Sequence, residues 1–146
     1  MLISDIIKRK GADVVTVTPD ATLAGAAGLM ASAQVGALVV EGAAGGVAGL
    51  LSERDVTAAF VRWGAGAAAR LVRDAMSGHP TTVDASEPVL AVMARMTAAR
   101  ARHAPVTDRG RLAGIVSVGD LLKSRLEEKT DEARVLQDIA RWRLAA

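Results

Sequence analysis

Residues 49–55 read GLLSERD, and residues 114–120 read GIVSVGD. Each is a short β-rich run that ends on a serine, with an aspartate three residues later. The pair decides the fold because it closes a much longer internal match. Upstream, VTVTPDATLAGAAGLMASAQVGALVV (Val15–Val40) lies over TTVDASEPVLAVMARMTAARARHAPV (Thr81–Val106). Val17 meets Val83, Met30 meets Met96 and Val40 meets Val106, all 66 residues apart. For GLLSERD and GIVSVGD the offset is 65, one residue being lost where AAGG at 43–46 gives way to a shorter turn around RGR at 109–111. A self-match at fixed spacing over most of a chain marks a duplicated structural unit.

Each copy predicts the same string of elements. A short extended segment (Val14–Val17; Thr81–Val83) leads into a helix with Asp20 or Ser86 near its start as N-cap. Leu23, Ala26, Ala27 and Met30 recur at helical spacing, as do Val89, Val92, Met93 and Met96, so each helix has one buried stripe. Two β-rich runs joined by a glycine-containing turn then read as a hairpin. A second helix begins at the serine, Ser52 to about Trp63 and Ser117 to about Glu127. The fold class expected is α+β, two βαββα repeats forming a sandwich-like body.

Three attachments remain. MLISDIIKRKG is an N-terminal helical arm, and RLVRDAM in the connector Gly64–His79 is a short helix. TDEARVLQDIARWRLAA, with Ala133, Leu136, Ile139 and Ala140 on one face, is a terminal helix that packs or dimerises. The chain divides into 1–64 (arm and first repeat), 65–128 (connector and second repeat) and 129–146 (C-terminal helix).

Composition narrows the function. The chain has 146 residues, 51% apolar, with no cysteine, so disulfides, thiolate nucleophiles and cysteine zinc sites are out. The stretch Ala21–Val40 carries no charge and is long enough to span a bilayer. It is nevertheless dominated by Ala and Gly, and its periodicity changes midway from helical to β, which argues against a membrane helix. No secretory signal opens the chain, and a cytoplasmic protein is expected. Eighteen Lys and Arg against sixteen Asp and Glu give a net charge of +2, and with three aromatic residues in all there is little basis for nucleic-acid binding.

No H-E-x-x-H, G-x-S-x-G, P-loop or G-x-G-x-x-G pattern stands in a suitable context, and we expect no enzyme. His79 and His103, the only histidines, lack acidic partners at ligand spacing, so no metal is expected. The repeated S-x-x-D is the chemical feature that stands out. Ser52 and Asp55, like Ser117 and Asp120, fall at N-cap and N3 of a helix, where they form a capping box. The same groups at a helix start also suit a ligand with hydroxyls and an anion. Spacing alone does not separate these two readings.

The order V-T-V-x-P-D-A-T-L…GALVV…G-L-L-S-E-R-D, followed by R-H-A-P-V…G-I-V-S-V-G-D-L-L-K, resembles a tandem pair of CBS (cystathionine β-synthase) domains over residues 14 to 128. The resemblance implies a stand-alone bacterial Bateman module. Its two repeats pack by their sheets, and two clefts between them bind AMP, ADP, ATP, S-adenosylmethionine or NAD(H). It further implies ribose contacts from Asp55 and Asp120, with Ser52 and Ser117 near ribose and phosphate. Thr16, Val17, Thr82 and Val83 would contact adenine from the first strands. Gly36, Ala37 and Leu38, and His103, Ala104 and Pro105, would line the base from the second-strand entrance. Arg102, His103 and Arg54 are phosphate candidates, Lys123 a weaker one.

The copies differ where it matters. Arg102-His103-Ala104-Pro105 answers to Gly36-Ala37-Leu38-Val39, which has no basic residue, and Glu53-Arg54 answers to Val118-Gly119. Clefts lying side by side would let Arg54 and Arg102 serve one groove, and the two sites should be inequivalent. The expected function is a non-enzymatic sensor of adenine nucleotides, AMP first and ATP, ADP or NAD(H) next. It should act as a homodimer on a separate regulated protein. The alternative is a ligand-free structural and dimerisation module.

Overall fold

The computed structural model describes residues 1–145. The chain runs α1 (Ile3–Lys10), β1 (Thr16–Val17), α2 (Leu23–Ala33), β2 (Ala37–Glu41), β3 (Val47–Ser52), α3 (Glu53–Trp63) and α4 (Val72–Ala75). It continues through β4 (Val83–Asp84), α5 (Val89–Ala99), β5 (His103–Asp108), β6 (Arg111–Ser117) and α6 (Val118–Ala145). The βαββα string therefore occurs twice. Each repeat has a three-stranded sheet, β1-β2-β3 or β4-β5-β6, with its first strand parallel and its hairpin antiparallel. Both hairpins slip register at the same place, Val40/Glu41 and Val106/Thr107.

Side-chain alternation builds two cores. Leu38 and Val40 join the core under α2, and Ala104 and Val106 join the one under α5. Val39 and Pro105 point the other way along their strands, yet they too are buried, because there the sheets of the two repeats face each other. The uncharged stretch 21–40 is divided between helix α2 and strand β2. Among the described residues no helix is long and apolar enough to cross a membrane.

The lead-in segments cross over. Ile3 and Ile6 of α1 are buried in the core of the second repeat, whereas Val72 of α4 is buried in the core of the first. The backbone repeats the exchange bond for bond. Ile3 N donates to Glu87 O at 2.9 Å and Val89 N to Met1 O at 3.0 Å; Val72 N donates to Ala21 O at 2.8 Å and Leu23 N to Arg70 O at 2.8 Å. Leu2 and Leu71 then start their helices alike, each N–H bonding the carboxylate three residues on, Asp5 or Asp74. Two glycines make room: a Cβ on Gly49 would lie 2.5 Å from Ser77 O, and one on Gly114 would lie 2.5 Å from Ile7 Cδ1.

Two expectations are corrected. Neither Asp20 nor Ser86 is an N-cap. Thr22 caps α2, its Oγ1 accepting from Gly25 N at 3.1 Å, while Asp20 pairs with Arg73. Ser86 folds back on Asp84, and α5 starts after Pro88, its first N–H satisfied by the arm. Likewise, no separate helix begins after Lys129. With no Gly or Pro beyond Gly119 to break it, α6 runs unbroken to Ala145, its middle stitched by Arg125–Glu128 and Lys129–Glu132 pairs. From Lys129 onward its described residues are all exposed.

Candidate functional site

Each β3–α3 or β6–α6 junction is a closed hydrogen-bonded unit. Ser52 N donates to Asp55 Oδ2 at 2.8 Å, and Asp55 N returns a bond to Ser52 Oγ at 3.3 Å. Ser117 and Asp120 repeat this at 2.9 and 3.1 Å. The junctions are tied to the second-strand entrances in the same manner, Glu53 N to Gly36 O and Val118 N to Arg102 O, both 3.0 Å. The capping reading of S-x-x-D is therefore realised at both places.

Beyond the caps the two places diverge. At the first lies a cleft of about 560 Å³ between the repeats, lined by Gly36, Ser52, Glu53, Arg54 and Asp55 from one side and Arg100, Arg102 and His103 from the other. The end of the connector and the start of the second repeat close it with His79, Pro80 and Thr81. The volume lies within the range of small-ligand sites, about 300–1,000 Å³. The His103 ring lies over Gly36, where a Cβ would touch it at 3.6 Å. Arg54, Arg100 and Arg102 are exposed and, among the described residues, in no ion pair. A helix-start carboxylate thus faces a group of free cations. That combination takes a ligand with hydroxyl donors at one end and negative charge at the other.

Residues 3–62 and 72–127 each match the family profile described as CBS domain. The chain belongs to the CBS-domain family. As a CBS pair it is similar to a CBS-domain-containing protein from Agrobacterium tumefaciens, with 40% identity, a TM-score of 0.81, and 86% of this chain and 99% of that one covered. It is also similar to a signal-transduction protein with CBS domains from Burkholderia ambifaria, with 34% identity, a TM-score of 0.79, and coverage of 87% and 95%. A more distant structure, CBSX2 in complex with AMP, shares the fold at 23% identity and a TM-score of 0.72, with 88% and 98% covered. Comparison with curated proteins finds no match.

Of the residues proposed from sequence, this cleft of the CBS pair gathers Gly36, Ser52, Arg54, Asp55, Arg102 and His103. Val17, Ala37, Leu38, Val83, Ala104 and Pro105 are buried in or between the sheets. Thr16 bonds Glu41 across the sheet edge at 2.7 Å, and Thr82 bonds Pro80 O at 3.2 Å. Lys123 lines a separate groove along α6. Ser117 and Asp120 stand at the second junction, where Lys10 Nζ sits 2.6 Å from Asp120 Oδ2 and 3.0 Å from Ile115 O.

Sequence reasoning missed Arg100, His79 and Thr81. Arg100 ends α5 in the left-handed region with φ 53, as Gln34 ends α2 with φ 55, and this turn brings the start of ARARH to the cleft mouth. Thr81 has a subtler cue. In the first copy Val39 N donates to Val15 O at 3.3 Å; its counterpart Pro105 has no N–H to give to the carbonyl of Thr81.

Electrostatics follow the layout. Burial, and then Lys10, hold the His103 imidazole below its ordinary value, against the pull of Asp120 and Glu53. Burial pushes the Asp120 carboxyl up, but the Lys10 and Ser117 hydrogen bonds outweigh it and hold it low.

Proposed function

We propose that this CBS pair is a regulatory sensor that binds an adenine nucleotide and performs no chemistry on it. One observation carries the reading: the Asp55 carboxylate and the unpaired Arg54, Arg100 and Arg102 line one cleft. In this reading Asp55 accepts from the ribose hydroxyls, Ser52 lies beside them, and the arginines with His103 hold phosphate. AMP is the first ligand to expect, with ATP, ADP or NAD(H) as alternatives. The AMP complex of a structure with the same fold supports that class. Adenine is gripped by aliphatic groups and backbone. Among the described residues no Phe, Tyr or Trp lines the cleft, and Trp63 is covered by Arg62 and Arg70 at 5.0 and 4.5 Å.

The sensor acts in the cytoplasm as a homodimer, and its ligand-dependent shape is read by a separate protein. Such a signal requires that the ligand favour one of two arrangements of the pair. The test is calorimetry with AMP, ATP, NADH and S-adenosylmethionine on nucleotide-stripped protein. Saturable binding of at least one adenine nucleotide is expected. A flat titration with all four would overturn the reading in favour of a structural dimerisation module.

A further inference from the structure

We propose that the second site has been taken over by the chain's own Lys10, leaving one working nucleotide cleft per chain. This rests on the nucleotide-binding reading above. The two junctions are matched in their caps and strand ties, so their difference comes from what faces the carboxylate. Asp55 faces open cleft. Asp120 faces the Lys10 ammonium, which also bonds Ile115 O. An ammonium carries three N–H donors, and it gives two of them to the carboxylate and carbonyl acceptors that a bound nucleoside's donors would need. The cause is legible in the lead-ins. Eight residues separate Ile7 from Thr16, but five separate Met76 from Thr82. The extra length lets α1 continue to Lys10 where α4 stops at Ala75, and this added turn carries the lysine to Asp120.

Calorimetric stoichiometry with AMP and ATP tests it. Wild type should bind one equivalent per chain, Lys10→Met two, and Lys10→Met with Asp55→Ala one with full affinity and the other weakened. Lys10→Arg and the control Lys8→Met should stay at one. Two equivalents on wild type, or one on folded Lys10→Met, would overturn the inference while leaving the sensor reading intact. No binding to either protein overturns both.

A separate observation concerns α6. About 42 Å long at 1.5 Å per residue, it leaves Val135, Leu136, Ile139 and Trp142 exposed, Trp142 at 82%. A bare helix of this kind is marginal in water. Its charges are partly segregated: Glu127, Glu128, Asp131 and Glu132, with Lys129 among them, come first and sum to −3, and Arg134, Arg141 and Arg143, with Asp138 among them, follow and sum to +2. We infer that a second copy covers it with its own α6 antiparallel. A twofold axis near Val135 and Leu136 sets the acidic block of each helix against the basic block of the other, whereas a parallel pair would set like on like. An apolar groove of about 790 Å³ beside α6, lined by Leu90, Val135 and Leu136 and rimmed by Glu128, Asp131 and Glu132, would receive Trp142 of the partner subunit.

Analytical ultracentrifugation should give a dimer that Leu136→Glu weakens more than tenfold. Glu128→Arg alone should weaken it, and adding Arg143→Glu should restore it. Trp142 emission, read in Trp63→Phe, should shift to the blue on association. A monomer at all concentrations, as a foreign partner or self-packing would produce, overturns the inference. So does a dimer insensitive to Leu136→Glu.

Discussion

The two S-x-x-D junctions have nearly the same internal hydrogen bonds and opposite surroundings. At Asp55 the carboxylate borders a cleft with free arginines; at Asp120 it is neutralised by Lys10. The difference teaches that the capping box is a scaffold in both copies, and that what faces its carboxylate, open cleft or lysine, is set by the neighbouring lead-in. A connector that ends its helix early leaves room, and an arm that runs one turn further removes it.

The comparison can be broken most forcefully through the lead-ins themselves. Ile3→Ala should cost about 2–5 kcal/mol, because Ile3 is fully buried in the second repeat's core, and Val72→Ala should weaken the first repeat likewise. If the exchanged lead-ins make the repeats one unit, each variant shifts a single unfolding transition; two separated transitions in urea would refute that. At the sites, Asp55→Ala should weaken nucleotide binding about 10–100-fold, the range for hydrogen bonds to a charged group, and Asp120→Ala should leave it unchanged. Equal losses in titrations of the two variants would erase the asymmetry.

The paired glycines sharpen it further. Gly49→Ala drives a methyl into the Ser77 carbonyl, which is backbone, and should cost about 1–3 kcal/mol. Gly114→Ala meets the tip of Ile7, a side chain able to turn away, and should cost less in thermal melts. The smallest effect is expected from pH. His103 is held below its ordinary 6.5, so the unfolded chain takes up its proton first as pH falls. The stability that neutral His103 contributes above about 6.5 therefore declines below it. A phosphate held beside His103 would raise the imidazole again, so binding should take up a fraction of a proton there beyond that of the nucleotide's own phosphate, whose second pKa is about 6. Calorimetry in buffers of different ionisation enthalpy reads this uptake, and His103→Gln should reduce it.

Much of this was legible from residues alone. The 66-residue offset returned both sheets, both hairpins and both capping boxes, since these depend on local periodicity and turns. The meeting of Arg54 and Arg102 followed from comparing the copies. The exchange of lead-ins did not, although Leu2-Ile3 and Asp5 recur as Leu71-Val72 and Asp74, 69 residues on. That match is short, its offset differs from the main repeat, and its contacts join elements distant in sequence. Lys10 was invisible for the same reason: a lysine at a helix end reads as a solvated charge until the opposite repeat is placed against it. The α6 boundary was misjudged because a change in charge pattern was taken for a break, where the backbone has none.

The exchanged lead-ins also bear on how such a chain could arise. A protein of half this length, with one lead-in and one repeat, could reproduce these contacts only by trading arms with a second molecule, and its integrity would fall on dilution. Joining two copies end to end makes the trade internal and independent of concentration. It also releases the two arms from having to be identical. Once freed, one arm could lengthen by a helical turn without the other following, which no symmetric pair of identical chains can do.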